Sequence, residues 1–199
     1  MIRRTRLTVI AVAALGLLLA GCGGSHDMDE MGMATPSGTS GASAADAMFA
    51  QMMIPHHEQA VEMSTLAETR ASSPEIKALA AEIKGAQQPE IDQMTAWLEE
   101  WGMPVMSGMD AMGEHGGHGM SGMLTDEQMQ QLADAQGAEF DRLFAEFMIL
   151  HHEGAIDMAE DVVDSKDPRV AALAQEIITT QAEEIAQMRA FLDGPANAA

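Results

Sequence analysis

Two short elements carry the residues most able to bind a metal ion. Met53–Glu58 reads Met-Ile-Pro-His-His-Glu, and Met148–Glu153 reads Met-Ile-Leu-His-His-Glu. On a helix, a residue lies on the same face as the residues three and four positions later, so Met53 can share an ion with His56 or His57. Adjacent histidines diverge by about 100° and need not bind the same ion. Thioether and imidazole are ligands that Cu(I) prefers, so each element predicts a soft-metal site.

A second polar set follows each element. Gln87 and Glu90 fall in the middle of an otherwise apolar helix face, and a carboxylate placed there needs a partner. Counting outward from the predicted hairpin turn puts His56 level with Glu90. The same count puts His151 level with Glu184, so one cluster is expected inside each hairpin. The predicted ligands are Met53, His56, His57, Met63, Glu90 and Met94 in the first hairpin, and Met148, His151, His152, Met158, Glu184 and Met188 in the second.

Several details of these clusters stay open at the level of sequence. Met63 lies about 10 Å along the helix from His56, which is typical of core packing or of a second ion. The glutamates either bind metal directly or orient the histidines. Pro55 and Pro89 interrupt the first hairpin alone, so the two sites are expected to differ in geometry. A metal-free alternative is a core network in which His, Gln and Glu bond to one another.

A methionine-rich segment separates the two elements. All seven histidines lie in the two His pairs or in methionine-rich stretches. Exposed methionines gain nothing from burial, so regular Met/His spacing favours copper capture outside the cytosol. A low-complexity linker without function is the alternative. The auxiliary ligands predicted in this segment are Met103, Met106, Met109, Met112, His115, His118, Met120 and Met123, and a shorter N-terminal group is His26, Met28, Met31 and Met33.

The ligand types favour copper over zinc and iron. Zinc prefers imidazole, carboxylate or thiolate and has no use for the methionines. Iron in ferritin-like bundles takes Glu-x-x-His, and here Met53 and Met148 occupy the position of that glutamate. Cu(I) is therefore favoured, with Cu(II) as an alternative.

An internal repeat predicts the fold. Residues 46–63 align with 141–158 at 10 of 18 identical positions, and residues 76–98 align with 170–192 at 12 of 23. Each copy shows helical periodicity on both sides of a turn that contains Pro74 or Pro168. We therefore expect an all-α protein, a ferritin-like four-helix bundle made of two antiparallel hairpins. The hairpins cover 46–101 and 125–194, with a Met/His-rich loop at 102–124 between them.

The second hairpin carries an additional start signal. Thr125 to Gln128 has the spacing of a capping box, which predicts a helix that runs on towards the second copy. Gly137 is the expected position of a bend in that helix.

The N-terminal residues predict export. Residues 1–21 combine three arginines with an apolar run, and Cys22 follows in the manner of a bacterial lipobox. An acylated Cys22, followed by a flexible tether over 22–45, would anchor the chain to the outer face of the cell membrane or to the periplasmic or outer membrane. Cys22 is the only cysteine, so thiolate ligation is not expected. A net charge of −21 repels nucleic acid and favours cations.

The repeated motif resembles the secreted bacterial family known as domain of unknown function 305. Met-Ile-x-His-His-Glu, Ala-x-x-Met and Gln-x-x-Glu-Ile-x-Gln-Met occur twice, in order, between Asp46 and Leu192. The resemblance implies a ferritin-like bundle and, from some members, periplasmic copper binding in copper tolerance. By motif it assigns metal binding to Met53, His56, His57, Met63, Met148, His151, His152 and Met158.

Together these observations predict an extracytoplasmic copper-binding lipoprotein that sequesters copper or hands it to a partner protein. A binding protein is favoured over an enzyme. A ferritin-like cuprous or ferrous oxidase and a metal-free adaptor bundle are the alternatives.

Overall fold

Five helices make up the described part of the chain. The computed structural model describes residues 42–105 and 121–194. The helices, in chain order, are α1 (Ala44–Arg70), α2 (Pro74–Trp101), α3 (Asp126–Asp134), α4 (Ala138–Glu160) and α5 (Pro168–Leu192). The all-α prediction is confirmed, and α1 begins two residues before the predicted boundary.

The helices begin where their first residues satisfy free backbone N–H groups. Ser43 and Asp46 form a reciprocal capping box on α1, and Thr125 forms another with Gln128 on α3, as predicted. Ser73 and Asp167 cap α2 and α5, each directly before a proline in the first turn. Both predicted hairpin turns are therefore present.

The predicted bend at Gly137 is a complete break. Helix α3 ends at Asp134 and α4 begins at Ala138. Gly137 has a φ of 64°, a value that glycine adopts at no steric cost. This conformation interrupts the helix, so the capping box starts a separate short helix.

Two apolar cores occupy the two ends of the bundle. One, the Met63 core, contains the second half of α1 and the first half of α4; the other, the Met53 core, contains the opposite halves. Ala60 therefore packs in the core that holds Met148, and Ala155 packs in the core that holds Met53. This exchange shows that α1 and α4 run antiparallel and pass each other near the histidines.

Each hairpin carries a buried aspartate that binds the turn of the other hairpin. Asp141 on α4 accepts hydrogen bonds from the backbone N–H groups of Ser72 and Ser73 and from the Ser72 hydroxyl. Asp46 on α1 accepts a hydrogen bond of 2.7 Å from the Ser165 hydroxyl, in the turn between α4 and α5. The two copies of the repeat therefore make equivalent contacts with each other.

Several sequence predictions lie outside the described residues. In the ranges that the structure describes, no helix is both long and apolar enough to pass through a bilayer. The predicted signal peptide, Cys22 and almost all of the tether precede residue 42. The remaining predicted residues outside these ranges are His26, Met28, Met31, Met33, Met106, Met109, Met112, His115, His118 and Met120.

Replacing Asp141 with alanine should weaken the docking of the hairpins. The change leaves the N–H groups of Ser72 and Ser73 without their carboxylate, and we expect the free energy of unfolding to fall by about 2–4 kcal/mol. Urea denaturation followed by circular dichroism measures this value. Asp92→Ala, at an exposed position on α2, is the matched control and should change stability by less than about 0.5 kcal/mol. Equal losses in the two variants would contradict the assigned role of Asp141.

Candidate metal centre

The four histidines of the two elements form one buried layer. His56, His57, His151 and His152 each have 0% exposure. The ring centroids of His56 and His151 are 3.8 Å apart, with the ring planes inclined by 40°. The sequence predicted one cluster inside each hairpin; the structure instead brings the histidines of both hairpins together. The reason is that α1 and α4 pass each other at this level, which the spacing within one hairpin does not reveal.

Each glutamate contacts the second histidine of its pair. His57 Nε2 lies 2.7 Å from Glu90 Oε2, and His152 Nε2 lies 2.7 Å from Glu184 Oε2. Counting from the turns had placed His56 and His151 opposite the glutamates. A carboxylate that accepts the Nε2 proton fixes the ring orientation and leaves Nδ1 as the nitrogen with a free lone pair. In this structure the glutamates therefore orient the histidines.

Ser121 gives His56 the same arrangement. His56 Nε2 lies 3.1 Å from the carbonyl oxygen of Ser121. A carbonyl oxygen only accepts, so Nε2 carries the proton and Nδ1 is the free nitrogen. Among the described residues, the Nδ1 atoms of all four histidines, together with Nε2 of His151, are buried without a hydrogen-bond partner. Buried polar atoms without partners are costly and uncommon, and a metal ion is one group that would satisfy them.

The predicted glutamines also lie in this layer. Gln87 and Gln181 are 2% and 3% exposed, and each lies about one helical turn before the glutamate of the same helix. Both amide atoms of Gln87 and the Oε1 atom of Gln181 have no partner within the described chain. The layer therefore holds more hydrogen-bonding capacity than its own residues satisfy.

Burial keeps His56, His151 and His152 neutral. Desolvation, together with repulsion from His57 and His152, lowers the pKa of His56 to about 3, against the opposing effect of the Ser121 carbonyl. Desolvation also lowers the pKa of His151 well below its ordinary range, and lowers that of His152 despite the opposing effect of Glu184. Neutral imidazole is the form that binds metals, so these residues need release no proton at neutral pH to become ligands.

The predicted methionines flank the layer on both sides, and each side draws on both hairpins. Met53 and Met94 are fully buried in the Met53 core, against which Met158 of the second hairpin packs. Three methionines occupy the Met63 core in the same way, and these are Met63, Met148 and Met188. Met63 therefore joins the methionines of the other hairpin.

Nitrogen and oxygen ligands alone do not complete a site. Within residues 42–105 and 121–194, no group of three or more His, Cys, Asp or Glu side chains is placed to hold a metal ion. The rings of His56 and His151 contact each other at an inclination of 40°. A metal site in this layer would therefore draw on further donors such as methionine sulfur, on a rotation of the rings, or on both.

A short segment, the 121–124 strap, covers one side of the layer. Besides the contact between Ser121 and His56, Leu124 is buried and its backbone exchanges two hydrogen bonds with the side chain of Gln59, at 2.8 and 3.1 Å. A side chain at Gly154 would collide with the backbone of Ser121 and Gly122. Glycine at this position in α4 therefore lets the strap reach the histidines.

Sequence reasoning missed the residues that hold the strap. Gly154 in the middle of a predicted helix was a signal for close backbone approach, and it replaces Gln59 of the first copy. The contact made by the Ser121 carbonyl left no signal, because any residue type supplies a carbonyl. Of the predicted loop ligands that the structure describes, Met103 is exposed and Met123 lines a groove beside the strap with Glu153 and Asp157.

The fold and the site together define a class of helical bundle in which a buried His/Glu layer is flanked by methionines. The chain belongs to the DUF305 family, a domain of unknown function whose model matches residues 46–192. The resemblance inferred from the motifs is confirmed.

Solved structures with the same fold include copper-bound ones. A DUF305 protein from Streptomyces coelicolor is 34% identical, with a TM-score of 0.67 over 74% of this chain and 91% of that one. CopM in its Cu(I)-bound form is 34% identical, with a TM-score of 0.61 over 74% of this chain and 94% of that one. CopM in its Cu(II)-bound form is 38% identical, with a TM-score of 0.63 over 73% and 94%.

A viral relative shares a smaller part of the chain. The uncharacterized protein L153 of Acanthamoeba polyphaga mimivirus is 42% identical over 55 residues, which are 28% of this chain and 36% of that protein. This match spans about a third of the viral protein.

Acidification should destabilise the metal-free protein. Between the ordinary histidine pKa of 6.5 and the value of about 3 for His56, the unfolded chain binds a proton that the folded chain excludes. The free energy of unfolding should therefore fall as the pH falls, by up to about 1.4 kcal/mol per pH unit for each such histidine. Denaturation in the presence of a chelator, between about pH 7 and pH 5.5, measures this slope. These pH values lie above the ordinary pKa values of the carboxylates, so the histidines dominate the change. His56→Gln should reduce the slope, and an identical slope in both proteins would contradict the assignment.

Replacing Gly154 with alanine should displace the strap. Alanine stabilises a helix interior by about 0.5–1 kcal/mol relative to glycine, so Gly85→Ala, where the new methyl group meets open space, should raise stability. Gly154→Ala gains the same helix propensity, but the new methyl group must displace Ser121. This displacement lengthens the contact between Ser121 and His56. We expect its stability to fall below that of Gly85→Ala by at least about 2 kcal/mol, measured by urea denaturation. Equal gains in both variants would show that the strap does not contact Gly154.

Proposed function

We propose that this protein is an exported, lipid-anchored copper-binding protein that takes up Cu(I) as cargo in its histidine layer. The observation that carries the proposal is the set of buried, unpartnered imidazole nitrogens next to fully buried thioethers. Imidazole Nδ1 atoms and the sulfur atoms of Met53, Met94, Met148 and Met188 are the donors on which such a site would draw. The ion would supply the partners that the layer lacks.

The charge of the ligands favours Cu(I). Imidazole and thioether are neutral donors, and burial penalises the charged form of every group it encloses. A monovalent ion among neutral donors brings the smallest charge into the layer. The net charge of −21 attracts cations to the surface. CopM, which has the same fold, has been crystallised with Cu(I), Cu(II) and silver, and this supports copper as the ligand.

The regions outside the bundle fit capture at the cell surface. The predicted signal peptide and lipobox would place the chain outside the cytosol, anchored through Cys22. The last four residues of the Met/His-rich loop at 102–124 form the 121–124 strap, and Ser121 at its start contacts His56. Copper collected by thioethers of this loop would thus enter beside the layer, for storage or for transfer to a partner protein.

An anaerobic Cu(I) titration against a competing chelator tests the proposal. We would use the mature chain with Cys22→Ser, so that acylation cannot occur. His57→Gln/His152→Gln should lower Cu(I) affinity by at least about 10-fold, because both rings lose their donor nitrogens. His26→Gln/His115→Gln is the control with the same number of exchanges outside the layer and should retain the high-affinity site.

The conservative change Glu90→Gln tests the role of the carboxylate that orients His57. It keeps the size of the side chain but removes the carboxylate that holds His57, and we expect a loss of about 10- to 100-fold in affinity. Parallel titrations with Cu(II) and Zn(II) should show weaker binding than Cu(I). If the His57/His152 variant bound Cu(I) as tightly as its control, the layer would not be the binding site.

A further inference from the structure

A second cluster of methionines lies on the surface, away from the histidine layer. Met48 and Met52 of α1 and Met158 of α4 line a groove of about 130 Å³, with Asp161 at its edge. Met48 and Met52 are four residues apart and therefore lie on the same face of α1. Sequence reasoning assigned Met158 to a bundle site and gave no role to the other two.

The exposure of these side chains argues against a purely structural role. Met48 is 59% exposed, one of the most exposed large apolar side chains in the described part of the chain. Met52 and Met158 are half-buried and line the groove, so neither side chain is sealed inside the core. A methionine stripe in a core gains its stability from burial, and Met48 gains little.

The groove belongs to one end of the bundle. In the second copy, the positions that match Met48 and Met52 hold Leu143 and Phe147, and Met63 takes the place of Met158. Leu143 and Met63 are buried in the Met63 core. The repeat therefore places two buried side chains and the half-buried Phe147 at one end, and three accessible methionines at the surface of the other.

We propose that Met48, Met52 and Met158 form an accessible Cu(I) site, distinct from the histidine layer. Three neutral thioethers satisfy a soft monovalent ion, whereas Zn(II) prefers nitrogen, oxygen or thiolate ligands. The carboxylate of Asp161 at the edge of the groove adds attraction for a cation. Met158 also packs against the Met53 core, so the site borders the methionines that flank the layer. The inference rests on the proposed function in taking Cu(I) as the ligand.

Methionine methyl resonances provide a direct test. The full mature chain with Cys22→Ser, labelled with [methyl-13C]methionine, would be titrated anaerobically with Cu(I), and each signal would be assigned by a single Met→Leu variant. The signals of Met48, Met52 and Met158 should shift together over the same addition of metal. Zn(II) should leave all three unchanged.

A double variant tests whether the three side chains act as one site. Met48→Leu/Met52→Leu keeps the apolar volume but removes two sulfur atoms, so it should lose one bound Cu(I) per chain and abolish the shift of Met158. Met129→Leu, a half-buried methionine of α3 that packs against the Met63 core, is the control and should retain every bound ion. A double variant that binds as many ions as this control would overturn the proposal, as would a shift of Met48 and Met52 without Met158.

The histidine variant distinguishes this proposal from the previous one. In His57→Gln/His152→Gln the groove signals should still shift with Cu(I), although the tight site is lost. If the layer failed its own test, a shift of the three groove signals would still support the groove. If the groove signals stayed in place while the layer bound copper, only the groove site would be overturned.

Discussion

The enclosure of four buried imidazoles between two apolar cores is the constraint on which the rest of the structure depends. A helical bundle gains its stability from apolar burial, and this one gives up its centre to His, Gln and Glu side chains. Such a layer is tolerated because Glu90 and Glu184 each bind one histidine, and because the others remain uncharged. Several of their nitrogen atoms still lack partners. The centre of the bundle is therefore the part with most to gain from a bound ion.

The internal repeat supplies both halves of this arrangement. Because α1 and α4 run antiparallel, one sequence pattern supplies both halves of the layer, both methionine sets and both of the aspartate contacts that dock the hairpins. Each methionine set contains members from the two hairpins, so separation of the hairpins would dismantle both. Any metal centre here therefore depends on the docking of the two hairpins.

The 121–124 strap breaks the symmetry of the repeat. It contacts the ring of His56 through Ser121, and no hydrogen bond of the described chain joins it to the ring of His151. Gly154 admits the strap on α4, whereas Gln59, its counterpart on α1, binds the end of the strap. The prolines Pro55 and Pro89 had suggested that the halves differ; both lie inside continuous helices, and the strap provides a second source of asymmetry. Two nearly identical elements thus present different donor sets.

The sequence by itself determined the helices, the turns and the residue types of the buried layer. Periodicity, prolines and capping residues are local properties, so the hairpins and the start of α3 follow from neighbouring residues. The repeated Met-Ile-x-His-His element likewise identified the histidines of the buried polar layer and the methionines beside them. Only the tertiary structure decided which residues meet: that the ring of His56 contacts the ring of His151, that the glutamates bind His57 and His152, and that Met63 joins Met148. These pairings depend on how α1 passes α4, and that crossing is set by packing between residues about 95 positions apart, which no local pattern encodes.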